Sequence, residues 1–283
     1  MAQSKRSEAQ PQQREAQRYL ESVGGLVKTA FEKQRTILSY DEYLELLLAE
    51  PRTYARNAAQ YLKDVFDHFG SEVRDSPAGP VRHFKLFDLD LDREGTVAGQ
   101  DEVHNAIYLA LGNFVRLGRV NKLILLHGPN GSAKSSIVAA IMRAMEAYSR
   151  LPQGALYRFN WIFPSEKLVK GGSLGFQDKG AAAKGELPSF AHLEGEALDA
   201  RLPCELKDHP LLLVPKEQRR AFLEAQFKGK GLDEVVLPAY LVEGDLCQKC
   251  RQIYDTLLGA YHGDYLKVLR HAQVERFYVD RRY

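Results

Sequence analysis

Residues 121–136 read NKLILLHGPNGSAKSS. Leu123 to Leu126 is a compact apolar run, of the kind that forms a strand buried on both faces. A glycine-rich loop follows. Then Ser135 to Tyr148 carries Ile137, Ile141, Ala144, Met145 and Tyr148 at helical spacing. Strand, glycine-rich loop and helix stand in the order of a phosphate-binding loop, whose pattern is G-x-x-x-x-G-K-[ST]. Here it runs Gly128, Pro129, Asn130, Gly131, Ser132, Ala133, Lys134 and Ser135, followed by Ser136; alanine replaces the second glycine of the pattern.

The chemistry of such a loop rests on successive backbone N–H groups aimed at phosphate oxygens from a helix N-terminus. In this chain Gly128 makes the exit from the strand and Gly131 lets the backbone curl. Lys134 is expected to reach the β- and γ-phosphates, and the Ser135 hydroxyl to be a Mg²⁺ ligand. ATP and Mg²⁺ are therefore the expected cofactors, bound by residues 128–136. Alanine keeps the N–H that donates to phosphate. Its methyl costs roughly 1–2 kcal/mol if Ala133 must be left-handed. A micromolar affinity is worth about 8 kcal/mol, so the substitution weakens binding about tenfold without abolishing it.

The rest of the chain sets the context. Its 283 residues suffice for one large domain or one domain with an appendage. Hydrophobic residues at 45% and charged ones at 27% are the mix of a globular protein. A net charge of +2 gives no global field for nucleic acid or anionic membrane. No apolar run reaches the ~20 residues of a membrane span, and the polar N-terminus lacks the core of a signal peptide. Three cysteines and no need for disulfides point to a reducing cytoplasm.

Residues 1–18 are expected to be a disordered tail, and residues 19–80 a helical lead-in with a linker. Ser39 and Glu42 have capping-box spacing. Tyr54, Ala58, Tyr61, Leu62, Val65 and Phe69 recur at helical intervals, with Gly70 as terminator. Residues 71–80, SEVRDSPAGP, read as a linker of turn formers. Residues 81–283 are expected to be the α/β module. It contains a helix at Asp101–Leu117, strand-like alternation at Tyr157, Phe159 and Trp161, a glycine-rich insertion at about 164–195, and helices around Lys216–Phe227 and Arg251–Leu258.

Three further motifs carry less. Asp88, Asp90 and Asp92 have the first spacings of a calcium loop, but Arg93 and Gly99 stand where glycine and glutamate belong. Cys247-Gln-Lys-Cys250 has metal or redox spacing, yet one pair is not a zinc site. It reads as two incidental cysteines at a helix N-terminus unless Cys204, His262 or His271 approaches it. A P-loop ATPase also needs an apolar strand ending in an acid. Ala239–Glu243 follows Pro238, and Phe277–Asp280 is followed by Arg281; neither fits.

From about Ser39 onward the chain resembles the bacterial PrkA family of serine protein kinases, in its N-terminal AAA-type ATPase module. The resemblance rests on SYDEYLELLLAEP, VAGQDEVHNAI, LHGPNGSAKSS and the late segment EGDLCQKCRQIYDTLLGAYHGDYLKVLRHAQVERFYVDRRY. It implies a P-loop NTPase fold with a parallel sheet, a helical lead-in and a helical, partly irregular C-terminal half. It further implies ATP and Mg²⁺ binding at Gly128–Ser136, phosphorylation of protein serines, and Val97–Gln100 near the adenine. Family members are about twice as long, so the module is expected to be incomplete here, with its acidic strand beyond Tyr283. Whether the chain turns ATP over stays open at this point. The alternatives are a remodelling ATPase, for which homo-oligomers are expected, and a nucleotide-sensing interaction module without turnover. The expected partners are protein substrates, with neither nucleic acid nor membrane.

Overall fold

A computed structural model describes residues 18–26, 37–76, 79–89, 95–165, 189–232 and 234–281. Residues 18–26 form helix α1, within a small unit spanning Met1–Thr36. Ile37–Tyr283 makes a second, larger unit. The expected disordered tail, residues 1–18, lies outside the described residues except for Arg18, which belongs to α1, and so does most of the glycine-rich insertion. Among the described residues no helix is long and apolar enough to cross a membrane.

The larger unit is a mixed α/β structure. It opens with β1 (Ile37–Ser39) and α2 (Tyr40–Ala49). The capping box expected at this junction is present: Ser39 N–H donates to Glu42 Oε2 at 2.7 Å, and Glu42 N–H to Ser39 Oγ at 3.3 Å. Two orphan donors are thereby satisfied, which starts the helix at that residue. The short helix α3 (Pro51–Tyr54) and then α4 (Ala58–Phe69) follow. Gly70 ends α4 at φ 76° and ψ −178°, a conformation essentially reserved for glycine.

The stretch expected to be a linker is a β-hairpin instead, β2 (Ser71–Ser76) against β3 (Gly79–Phe84), with Ser71 opposite Phe84. Several of the turn formers themselves pair in the ladder, Asp75 with Pro80 and Ser76 with Gly79. Asp88 Oδ2 accepts from Arg74 at 2.9 Å and lies 2.8 Å from His83 Nε2. Asp90, Asp92 and Arg93 lie outside the described residues.

Helix α5 (Asp101–Leu117) has the expected bounds and buries His104, Ile107, Leu111 and Phe114. Helix α6 (Lys134–Ser149) buries Ile137, Ala140, Ala144 and Tyr148. These faces meet Tyr61, Val65 and Phe66 of α4, with Phe84 and Phe87, in one apolar core. The buried Arg56 side chain fastens α4 to the end of α6. It pairs with Asp64 at 2.8 Å, donates to Gln153 O at 2.7 Å and lies over the Tyr61 ring. This packing fixes the N-terminus of α6 in space.

The sheet differs from expectation. β4 (Leu156–Pro164), β5 (Leu198–Pro203) and β6 (Ala272–Phe277) join β1 in the order β1-β6-β4-β5, every pair antiparallel. No parallel P-loop sheet is seen among the described residues. Leu123–Leu126 has no regular secondary structure and pairs with no described strand, and Leu123 and Leu125 are 86% and 77% exposed. Apolar composition alone does not bury a strand; a neighbour must supply hydrogen bonds and a covering layer.

Helices α7 (Lys216–Gly229) and α8 (Ala239–Glu243), then α9 (Gln248–Ala260) and α10 (Tyr265–Leu269), complete the unit. Ala239–Glu243 is thus a helix, for which Pro238 before its first residue is well suited, and not an acid-tipped strand. β6 ends at Phe277, three residues before Asp280, and pairs with β1 and β4 and not with 123–126.

Candidate functional site

The loop from Gly128 to Ala133 closes on itself at the start of α6. Lys134 Nζ donates to Gly128 O at 2.8 Å, to Pro129 O at 2.6 Å and to Ser132 Oγ at 3.0 Å. The Ser132 hydroxyl in turn donates to Pro129 O at 2.8 Å. Gly131 sits at φ 83° with nothing near the position of a Cβ. Gly128 has a different reason to lack one, since a Cβ there would stand 2.8 Å from Ser132 Oγ.

Ala133 is the residue before α6 and is left-handed, at φ 57° and ψ 14°. The substitution therefore does carry backbone strain, of roughly 1–2 kcal/mol. Its methyl packs against the core shared by α4, α5 and α6. That contact offsets part of the strain.

Among the described residues no backbone acceptor takes the N–H groups of Gly131, Ala133, Lys134 or Ser135. These are the orphan donors of a helix start, which satisfy themselves on water or on an anion. Ser135 and Ser136 are exposed within the first turn. The donor set fits a phosphate chain; for Mg²⁺ it supplies the Ser135 hydroxyl.

Two clefts meet at Lys134. One, of about 310 Å³, is lined by Gln100, Val103, Ile107, Ile124, His127 and Ile137 among others. The other is open, of about 800 Å³, and includes Ser135, Val138, Met142 and Arg281. Small-molecule sites typically have roughly 300–1,000 Å³ and mostly apolar walls with a few convergent polar groups. Neither cleft has a carboxylate in its lining, whereas Lys134 lines both and Arg281, with Nε 3.8 Å from Glu146 Oε2, lines the larger. The local balance therefore favours an anion.

Beside Gly128 to Ser136 the clefts add His127 and Arg281. Of the Val97–Gln100 segment, Gln100 lines the first cleft and Val97 is buried in the core. Arg281 was visible in the sequence only as a residue occupying an acid's place. Its position beside Lys134 depends on where the end of β6 leads the chain.

The cysteines lie elsewhere. Cys247 caps α9, as its spacing suggested, and Cys250 is in the first turn. Cys204 does approach them, with Sγ 3.9 Å from Cys247 Sγ. His271 does not, because its ring nitrogens already meet Ile162 O at 2.7 Å and Tyr261 Oη at 2.7 Å. His262 is exposed at the end of α9, in a left-handed conformation.

No family model matches the chain, and neither do the curated proteins or the solved structures with which it was compared.

Proposed function

We propose that the chain is a nucleotide-binding module that takes Mg-ATP through residues 128–136, as the AAA-type part of a PrkA-like serine protein kinase. The observation that carries this reading is the Lys134 ammonium ringed by loop oxygens at the head of α6, beside two clefts without carboxylates. In this reading Lys134 moves from the Gly128 and Pro129 carbonyls to the β- and γ-phosphates. The orphan N–H groups of Gly131, Ala133, Lys134 and Ser135 bind phosphate oxygens, and the Ser135 hydroxyl holds the metal. The cleft between Gln100 and Ile137 receives the base. Arg281 adds a second positive charge on the phosphate side. Leu123–Leu126 is the strand that a parallel P-loop sheet would cover on both faces.

A second reading has its own support. No described strand beside residues 123–126 ends in an acid, which favours nucleotide binding without turnover. ATP carrying a labelled γ-phosphate separates the readings when incubated with the full chain and a protein extract. Label in protein serine supports the kinase, label released as phosphate supports a remodelling ATPase, and tight binding with neither supports a sensing module. Calorimetry showing no Mg-ATP binding at millimolar nucleotide would remove all three.

A further inference from the structure

We propose that Cys204, Asp208, Cys247 and Cys250 bind one zinc ion. Their ligand atoms all lie within 4.8 Å of one another. Two sulfurs on one tetrahedral zinc, with bonds of ~2.3 Å, are expected ~3.8 Å apart. Cys204 and Cys247 stand at 3.9 Å without any rearrangement. Three soft thiolates and one carboxylate in a closed, four-ligand set select zinc over calcium or magnesium, and describe a structural and not a catalytic site.

Burial makes the same case. Cys204 and Cys250 are 1% exposed and Asp208 is 6% exposed. No lysine or arginine pairs with the Asp208 carboxylate among the described residues; it accepts from Cys247 N–H at 2.8 Å. A carboxylate buried against three sulfurs is costly without a cation. Zinc supplies one.

Backbone N–H groups around the cluster donate to the sulfurs, as thiolates require. Asp208 N–H donates to Cys204 Sγ at 3.2 Å and Cys250 N–H to Cys247 Sγ at 3.5 Å. The first of these bonds requires Lys207 to be left-handed, at φ 55°, a strain that non-glycine residues usually avoid. The N-terminus of α9 adds its positive end beside Cys247 and Cys250. Trp161, 1% exposed in the same apolar cluster as Cys204 and Cys250, has its indole N–H beside the Cys250 sulfur, where it favours the thiolate. The nearest histidine in sequence is not a competitor: His209 Nε2 meets Tyr54 O at 2.8 Å, and its Nδ1 accepts from Leu211 N–H.

The ion would tie the turn after β5 to the start of α9, two segments whose cysteines are 43 residues apart. It does not depend on nucleotide binding at residues 128–136.

The test uses the full chain, purified with a thiol reductant and no added metal, then analysed for metals by mass spectrometry. One zinc per chain is expected, with magnesium counted separately. Replacement by cobalt should give the thiolate-to-metal charge-transfer and intense visible bands of a tetrahedral thiolate site. Cys250→Ser should lose at least nine-tenths of the zinc, and Asp208→Ala should raise the dissociation constant at least tenfold. Should the cysteine variant fail to fold, the unaltered chain still decides through its zinc content and cobalt spectrum. A folded chain without zinc overturns the assignment, whether it holds three titratable thiols or a disulfide with one thiol. So does a cobalt spectrum without thiolate bands.

Discussion

Lys134 Nζ and the Gly128 carbonyl oxygen lie 2.8 Å apart, so the amine is held by the first residue of its own loop. With Pro129 O and Ser132 Oγ also bound, the loop is already curled around the position that an anion would share. The curled backbone lowers the ordering cost of binding, while the amine's exchange of these oxygens for phosphate offsets part of that gain.

Replacing Lys134 with alanine should therefore separate binding from folding. A hydrogen bond to a charged group contributes about 1.5–3 kcal/mol, so Lys134→Ala should weaken Mg-ATP binding roughly ten- to hundredfold. The carbonyls it leaves are at the surface and hydrate. Urea unfolding should shift by less than about 1 kcal/mol. Titration calorimetry on both proteins checks the first expectation, and unchanged affinity would refute the site.

Ala133→Gly tests the departure from the motif. Glycine removes the strain of φ 57° but adds ~0.4–1 kcal/mol of unfolded-state entropy and loses the methyl's core contact. The net change in stability should fall within about 1 kcal/mol. The affinity for Mg-ATP should stay level or rise up to about tenfold. Ala133→Val should be worse on both counts, because a β-branched residue in the left-handed region is a true outlier.

How much of this was legible beforehand depended on range. Ser39 and Glu42, Asp101–Leu117 and the loop from Gly128 are local signals, and they place caps, helices and turn within a residue or two. The hairpin of Ser71 with Phe84 was hidden because Pro77 and Gly79 dominate a short window. The β1–β6 pairing joins Leu38 to Val274, which no window can see. Leu123–Leu126 shows the converse limit, since its composition states a preference for burial and cannot state what covers it. At the cysteines, the sequence offered Cys247 and Cys250 as a pair. Asp208 was invisible as a member, because a carboxylate four residues after a cysteine means nothing until a left-handed Lys207 folds the turn.

Three histidines, His104, His209 and His271, have their pKa lowered by burial and make stability depend on pH. Burial pushes His104 and His209 down to about 4. His104 is faced by Asp101, which opposes the shift, and by His83, which adds to it. All three are neutral in the fold and protonate near 6.5 when unfolded. Below pH 6.5 the unfolded chain binds more protons, so stability is full above that pH and declines as pH falls toward 4. His104 stacks on Phe87 at 3.4 Å, and neither of its ring nitrogens has a hydrogen-bond partner. His104→Phe should thus keep the stack and flatten the acid limb. Thermal melts of both proteins at pH 5 and pH 7.5 measure this, and an equal loss in the two would sink it.

Arg281 reaches the Lys134 cleft from the far end of the chain, with Nε 3.8 Å from Glu146 Oε2. An added charge at the phosphate side of an exposed site is worth about 0.5–1.5 kcal/mol. Arg281→Ala should weaken Mg-ATP about two- to tenfold and adenosine not at all, because adenosine carries no phosphate. Loss of adenosine binding would move Arg281 from the phosphate side to the base.

The apolar run before the loop gives the sharpest test of the architecture. Leu123 and Leu125 are 86% and 77% exposed, whereas Ile137, fourteen residues on from Leu123, is 1% exposed in the core. In the arrangement seen, Leu123→Asn with Leu125→Asn removes little buried surface and should leave unfolding free energy within about 0.5 kcal/mol. Ile137→Ala should cost about 2–5 kcal/mol by lost transfer energy and a cavity. Urea melts of the three proteins, read against nucleotide affinity, decide the matter. If the double asparagine variant loses as much stability as Ile137→Ala, the run is covered in solution. The parallel sheet that its composition suggests would then be present in the working protein.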